Sequence, residues 1–254
     1  RIGAGQSVSA VSGIVTYYGD GSQLTGVESG VGNFVASGTI PNGATVVINT
    51  DGTVGIVTQT GSANPSVGTA VVANTIASNP SAAYSGVDGK VVIAWSEYSS
   101  GTGYNGKAIV GTVSGTSISF GSIVTFNSGQ SSYTRVTYDS ANSKVVIAYT
   151  DGNTFVGRAR VGTVSGTSIS FGSEATFNSG RSTDLSSVST TNGKLVIAYT
   201  DAGNSDYGTA VVGTISGTSI SFGSAVVFNS RLSYEFACAY DSTNDKVVVF
   251  YQDQ

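Results

Sequence analysis

The chain alternates short apolar runs with stretches rich in Gly, Ser and Thr, and the apolar runs have the length of strands. Val145-Val146-Ile147-Ala148-Tyr149 is continuously apolar, the pattern of a central strand covered on both faces. Ile118-Ser119-Phe120 and Val136-Thr137-Tyr138 alternate, as strands with one more exposed face do. Ser165-Gly166-Thr167 and Asp139-Ser140-Ala141-Asn142-Ser143-Lys144 carry turn chemistry. No stretch keeps a 3.6-residue apolar period with caps, so no helix is predicted.

The pattern repeats. The word Gly-Thr-Val-Ser-Gly-Thr-Ser-Ile-Ser-Phe-Gly-Ser starts at Gly111 and Gly162, and again at Gly213 with Ile215 for Val, a period of 51 residues. A second word starts at Lys90, Lys144, Lys194 and Lys246, and a third closes at Asn74, Asn127, Asn178 and Asn229. One unit reads as four strands, A near 133–139, B near 144–150, C near 157–165 and D near 168–177. Four antiparallel strands in about fifty residues predict an all-β fold of β-propeller-like blades. An isolated unit of that kind would leave apolar faces bare, so neighbours must cover them.

The ends carry partial units. Residues 68–74 align with residues 223–229, a D strand without its own A strand, and residues 46–58 read as a hairpin with B- and C-like strands. The last B strand ends at Tyr251. Three intact blades plus a composite closing blade are therefore expected, with a β-prism or solenoid array as the alternative. The expected organisation is an attachment segment over 1–40 and a repeat domain over 41–254, with units near 41–78, 79–127, 128–178, 179–229 and 230–254.

Comparison of the copies locates the variable part. From Gly111, Gly162 and Gly213 to the closing Asn the spacing is always 16, whereas from the B-strand Lys to that Gly it is 21, 18 and 19. The variable B–C loops and the D–A connections are expected to share one rim, where recognition residues concentrate. The candidate ligand-binding residues there are Glu97, Tyr98, Tyr104, Phe155, Arg181, Asp201, Tyr207, Arg231 and Tyr234, aromatic faces with hydrogen-bonding groups suited to a glycan or a peptide. Trp95, Tyr149 and Tyr199 share one strand position and read as core.

Composition narrows the chemistry. Charged residues make up only 10% of the chain, the net charge is −4, and no basic stripe exists, which argues against a nucleic-acid partner. No apolar run reaches the ~18–20 residues of a membrane span. The absence of His excludes His-based triads and His-ligated zinc, and leaves the single Cys238 without a base to activate it. No cofactor motif occurs, and neither a cofactor nor a metal is expected. The Asp139–Lys144 and Asp241–Lys246 loops hold groups able to ligate Ca²⁺, but Asx turns account for them. Glu28, Glu97, Glu174 and Glu235 are the only glutamates. Glu97 with Asp201 is the candidate pair for glycosidase chemistry. No catalytic signature stands out, so no enzyme is expected.

Residues 13–27 (Gly-Ile-Val-Thr-Tyr-Tyr-Gly-Asp-Gly-Ser-Gln-Leu-Thr-Gly-Val), residues 37–54 and the Gly-Thr-Val-Ser-Gly-Thr words resemble segments of marine bacteriophage virion proteins, of the cyanophage tail-fibre kind. The resemblance implies a virion appendage, homotrimeric, contacting other virion subunits and presenting the variable rim to a host surface glycan or protein. A purely structural virion component is the alternative reading, and a carbohydrate-active enzyme a further one.

Overall fold

The structure, a computed structural model, describes residues 77–86, 89–101 and 103–254, together with residues 35–36, 39, 46–48, 53–56 and 70. The chain divides into two compact units, Arg1–Ser66 and Val67–Gln254. In the first, Val35–Ala36 (β1) runs parallel to Thr53–Ile56 (β3), and β3 pairs antiparallel with Val46–Ile48 (β2). The expected hairpin is that β2–β3 pair. Most of the 1–40 attachment segment and of the D-like segment 68–74 lies outside the described residues.

The second unit contains only strands among its described residues. The first blade-like group holds Ser78–Ser85 (β4), Lys90–Ser99 (β5), Gly103–Ser114 (β6), Ser117–Phe120 (β7) and the start of Val124–Asp139 (β8). The next takes the rest of β8, Lys144–Asp151 (β9), Val156–Ser165 (β10), Ser168–Phe171 (β11) and the start of Ala175–Ser189 (β12). The third takes the rest of β12, Lys194–Asp201 (β13), Tyr207–Ser216 (β14), Ser219–Phe222 (β15) and the start of Val226–Asp241 (β16). The rest of β16 and Lys246–Asp253 (β17) form a last, two-stranded group.

Two expectations need correction. The fourteen strands of the second unit are antiparallel and linked, and among the described residues the path runs open from β17 to β4, so a closed ring is not confirmed. Among the described residues, no C or D strand stands beside β17. The predicted D strand is also two pieces. In the second unit β11 ends at Phe171, and β12 begins only at Ala175, then runs on to become the next A strand.

The interruption recurs in all three units, and in each the glycine N–H donates back to the C strand: Gly121 to Val110 O, Gly172 to Val161 O and Gly223 to Val212 O, at 2.9, 2.9 and 3.0 Å. A side chain on Gly172 would place its Cβ 1.9 Å from the carbonyl oxygen of Thr218, in the turn joining β14 and β15. Gly121 stands in the same relation to Thr167 O, also at 1.9 Å. The C–D turns of the second and third units thus press onto the preceding unit's glycine.

The continuously apolar B strand is explained by its two faces. On β9, Val145, Ile147 and Tyr149 pack towards the first group with Val92, Ala94, Val110 and Phe126. Val146 and Ala148 pack the other way, with Val161, Phe177, Leu195 and Ile197. Each such aliphatic side chain stabilises the fold by roughly 1.5–3 kcal/mol. Hydroxyls stitch the groups together. Ser96 Oγ, Thr150 Oγ1 and Thr200 Oγ1 donate to the carbonyl oxygens of Ser131, Ser182 and Ser233 at 2.7, 3.0 and 2.5 Å.

Trp95, Tyr149 and Tyr199 are all buried, as expected for core residues. Their polar tips differ. Tyr149 donates to Glu174, whereas the Tyr199 hydroxyl is buried without a partner. Removing an unsatisfied hydroxyl relieves a desolvation penalty, while removing a paired one loses a charge-assisted bond. Tyr199→Phe is therefore expected to raise stability by about 1 kcal/mol and Tyr149→Phe to lower it by about 1–2 kcal/mol. Urea unfolding of the two variants gives the comparison; equal shifts in one direction would contradict this account.

Candidate functional site

The rim is built from asparagine corners. Nδ2 of Asn127, Asn178 and Asn229 donates to the Oγ of Ser131, Ser182 and Ser233 at 2.9, 3.0 and 2.9 Å. Oδ1 of Asn127 and Asn178 accepts from the N–H of Gly129 and Gly180, both at 3.2 Å. The B–C loops dock on these corners. Gly152 N donates to Gln130 O at 2.9 Å and Gly203 N to Arg181 O at 3.3 Å. The B–C loops and D–A corners therefore share one edge.

Just past each corner the inner strand bulges. Two residues stand opposite one: Tyr133-Thr134 opposite Tyr149, Asp184-Leu185 opposite Tyr199, and Glu235-Phe236 opposite Tyr251. The first residue of each bulge has a left-handed backbone, with φ of 50° at Tyr133, 48° at Asp184 and 59° at Glu235. Asn79 holds the corresponding place in β4 with φ 51°. Non-glycine residues held there cost of order 1 kcal/mol each, and such strain clusters at functional sites. The second residue, Thr134, Leu185 or Phe236, turns into the core and anchors the bulge.

Anchoring leaves Tyr133, Asp184 and Glu235 to be aimed by the backbone. Burial raises the carboxyl of Asp184 above the usual carboxylate range, and the nearby Glu235 charge adds to it; Arg135 and a hydrogen bond from Thr183 pull the other way. Burial likewise raises the Tyr133 phenol, reinforced by Asp184 and opposed by Arg181. The Asp184 carboxyl thus feels a second carboxylate 51 residues on, with two guanidiniums and a phenol close by. Copy-to-copy comparison passed over Asp184 and Glu235, although both stand on the D–A side of the variable rim.

The predicted rim residues fall into separate groups. Tyr98 and Tyr104 are exposed, face each other across the β5–β6 hairpin and pack edge-to-face at 5.5 Å. Arg181 lies 4.9 Å over the Phe155 ring. Arg231 is 3.8 Å from Asp253. Tyr207 is half-buried at the start of β14, and Tyr234 immediately precedes the Glu235 bulge. Glu97 and Asp201 hold equivalent places at the ends of β5 and β13, with a whole unit between them. Asp201 Oδ1 accepts from Asn178 Nδ2 and Gly203 N, both at 3.2 Å, so its carboxylate is tied into the corner. The Asx-turn reading of the Asp139 and Asp241 loops is also seen. Asp139 Oδ1 accepts from Ala141 N at 3.1 Å and Asp241 Oδ1 from Thr243 N at 2.9 Å.

No family model matches the chain, and no curated protein matches it. Among solved structures it is similar to the catalytic domain of a GH62 α-L-arabinofuranosidase from Coprinopsis cinerea. The match has a TM-score of 0.41 and 14% identity, and covers 73% of this chain and 67% of that one. Nothing in these comparisons ties the chain to a phage or a virion. The structure found similar is an enzyme's catalytic domain. The expectations of a virion receptor-binding appendage and of a non-enzyme are corrected accordingly.

Proposed function

We propose that the Val67–Gln254 unit is a carbohydrate-active hydrolase, with Asp184 as general acid and Glu235 as the partner carboxylate. The observation that carries this reading is that Asp184 and Glu235 stand on successive left-handed bulges and that the Glu235 charge adds to the raised proton affinity of the Asp184 carboxyl. A carboxyl whose proton affinity is raised, beside a second carboxylate, is the minimal apparatus for cleaving a glycosidic bond. In this scheme Asp184 protonates the leaving oxygen, and Glu235 attacks the sugar or activates the water that does. Arg135 tempers the proton affinity of Asp184 and keeps it able to give up its proton. The exposed pair Tyr98–Tyr104 and the Arg181–Phe155 pair offer flat faces for sugar rings on the same rim.

The test is a panel of p-nitrophenyl pyranosides and furanosides together with soluble polysaccharides, read as released nitrophenol and reducing ends. Turnover by the natural chain that is lost in both Asp184→Asn and Glu235→Gln supports the reading. Absence of turnover on every substrate by a folded chain overturns it, as do active carboxylate variants.

A further inference from the structure

The last B strand departs from the others at Val249, Phe250 and Gln252, and the latter two line one cavity. Ala94, Ala148 and Ala198 hold the fifth position of the B strand in the first three units and are 0%, 1% and 0% exposed. There the neighbouring unit packs directly against the strand, and only a methyl group fits. In β17 the same position is Phe250, 74% exposed. Two residues on, Ser96, Thr150 and Thr200 donate their hydroxyls to the next unit's corner. In β17 that position is Gln252, too long to reproduce the bond. A phenyl ring and a long amide thus stand in β17 where the first three units carry a buried Ala and a bonded hydroxyl.

A cavity of about 500 Å³ lies here, lined by Glu235, Phe250, Tyr251, Gln252 and Asp253. Asp253 is already engaged: its Oδ1 accepts from Asn229 Nδ2 at 2.9 Å, and Arg231 stands on its other oxygen. Tyr251 packs against Phe228 at 5.2 Å on the side facing the third unit. That leaves Phe250 as an open aromatic face, Gln252 as an amide, and Glu235 on the wall.

We propose that this cavity is a sugar-binding subsite, in which Phe250 stacks on one ring of an oligosaccharide and Gln252 hydrogen-bonds its hydroxyls. The inference rests on the hydrolase reading above, because Glu235 joins the subsite to the bond being cleaved. An aromatic face beside one or two polar groups is the usual composition of a site that orients a polyol ring. The cavity volume falls within the range of small-molecule sites.

The experiment is isothermal titration of cello- and xylo-oligosaccharides of two to six sugars into the full chain carrying Asp184→Asn, which binds without cleaving. Phe250→Ala in that background is expected to weaken binding about tenfold, and Phe250→Trp to restore it. Val226→Ser, an exposed apolar residue outside the cavity, serves as the control and is expected to bind as its parent does. Thermal unfolding of each variant establishes that the fold is kept. Equal affinities for the parent and Phe250→Ala overturn the subsite, and so does binding of none of these sugars. In either case, cleavage of a chromogenic monoglycoside that needs Asp184 would leave the hydrolase reading standing. If the natural chain cleaves no glycoside while Phe250→Ala still weakens binding, the hydrolase reading falls and the sugar site remains.

Discussion

Asp184→Asn is expected to lower kcat on any glycoside the chain cleaves by at least a hundredfold, with no loss of stability. General acid catalysis by a positioned carboxyl contributes roughly 10²–10⁴-fold, and an amide cannot give up a proton to the leaving oxygen. Asparagine accepts the left-handed backbone at this position, where φ is 48°, so the bulge is kept. The stability half follows from the sign of the shift. The carboxyl of Asp184 is held above its usual range in the folded chain, first by burial and then by Glu235. Its favourable contribution is complete at pH below the unfolded carboxylate value and is lost as pH rises through the folded one. Asparagine carries no charge to bury beside Glu235, so the variant should melt no lower than the natural chain at pH 7. The advantage should shrink as the pH falls towards 4. A variant that melts well below its parent at pH 7, or that keeps most of its activity, would contradict the role given to Asp184.

The second large effect is steric. Gly172→Ala puts a methyl carbon 1.9 Å from the Thr218 carbonyl oxygen, a contact with backbone that no rotamer change relieves. Overpacking of this kind costs about 3 kcal/mol, which for a domain of this size lowers Tm by roughly 6–12 °C. Gly121→Ala, against Thr167 O, should behave alike. The chain supplies its own control. Gly223 holds the same place in the third unit, where the nearest atom to an added Cβ is Val212 O at 3.8 Å. Gly223→Ala is therefore expected to be neutral, or stabilising by up to about 1 kcal/mol through the unfolded chain. Differential scanning calorimetry of the three variants separates the two cases. A large loss in Gly223→Ala would mean that backbone conformation, and not the pressing turn, fixes these glycines.

Much of the scaffold was legible in residue order because the repeat displays it three times. The apolar run of β9 announced a strand covered on both faces, and the packing of Ile147 one way and Val146 the other is what that run encodes. The buried Trp95, Tyr149 and Tyr199 were legible from their shared position. The split of the D strand was not. It recurs in the third unit, where no turn presses on Gly223, and in every unit the glycine N–H bonds back to the C strand, a pairing that no local pattern records.

The site was less legible still. Sequence comparison pointed to loops that differ in length, and so to Glu97 and Asp201. Asp201 proves to be tied to Asn178 and Gly203, a corner-forming role. The bulge carboxylates Asp184 and Glu235 stand where the copies do not differ in length at all. Sequence by itself determined the 51-residue period, the strand order within a unit, the turn chemistry and the rim on which variation gathers. These follow from local periodicity and from residues such as Gly and Asn acting on their own backbone. Only the tertiary structure decided that the A strand slips two residues against one, that the Glu235 charge reaches Asp184, and that the path of described strands runs open. Those outcomes depend on which faces meet across units, and Leu185 and Phe236 turning into the core force the bulge that aims the two carboxylates.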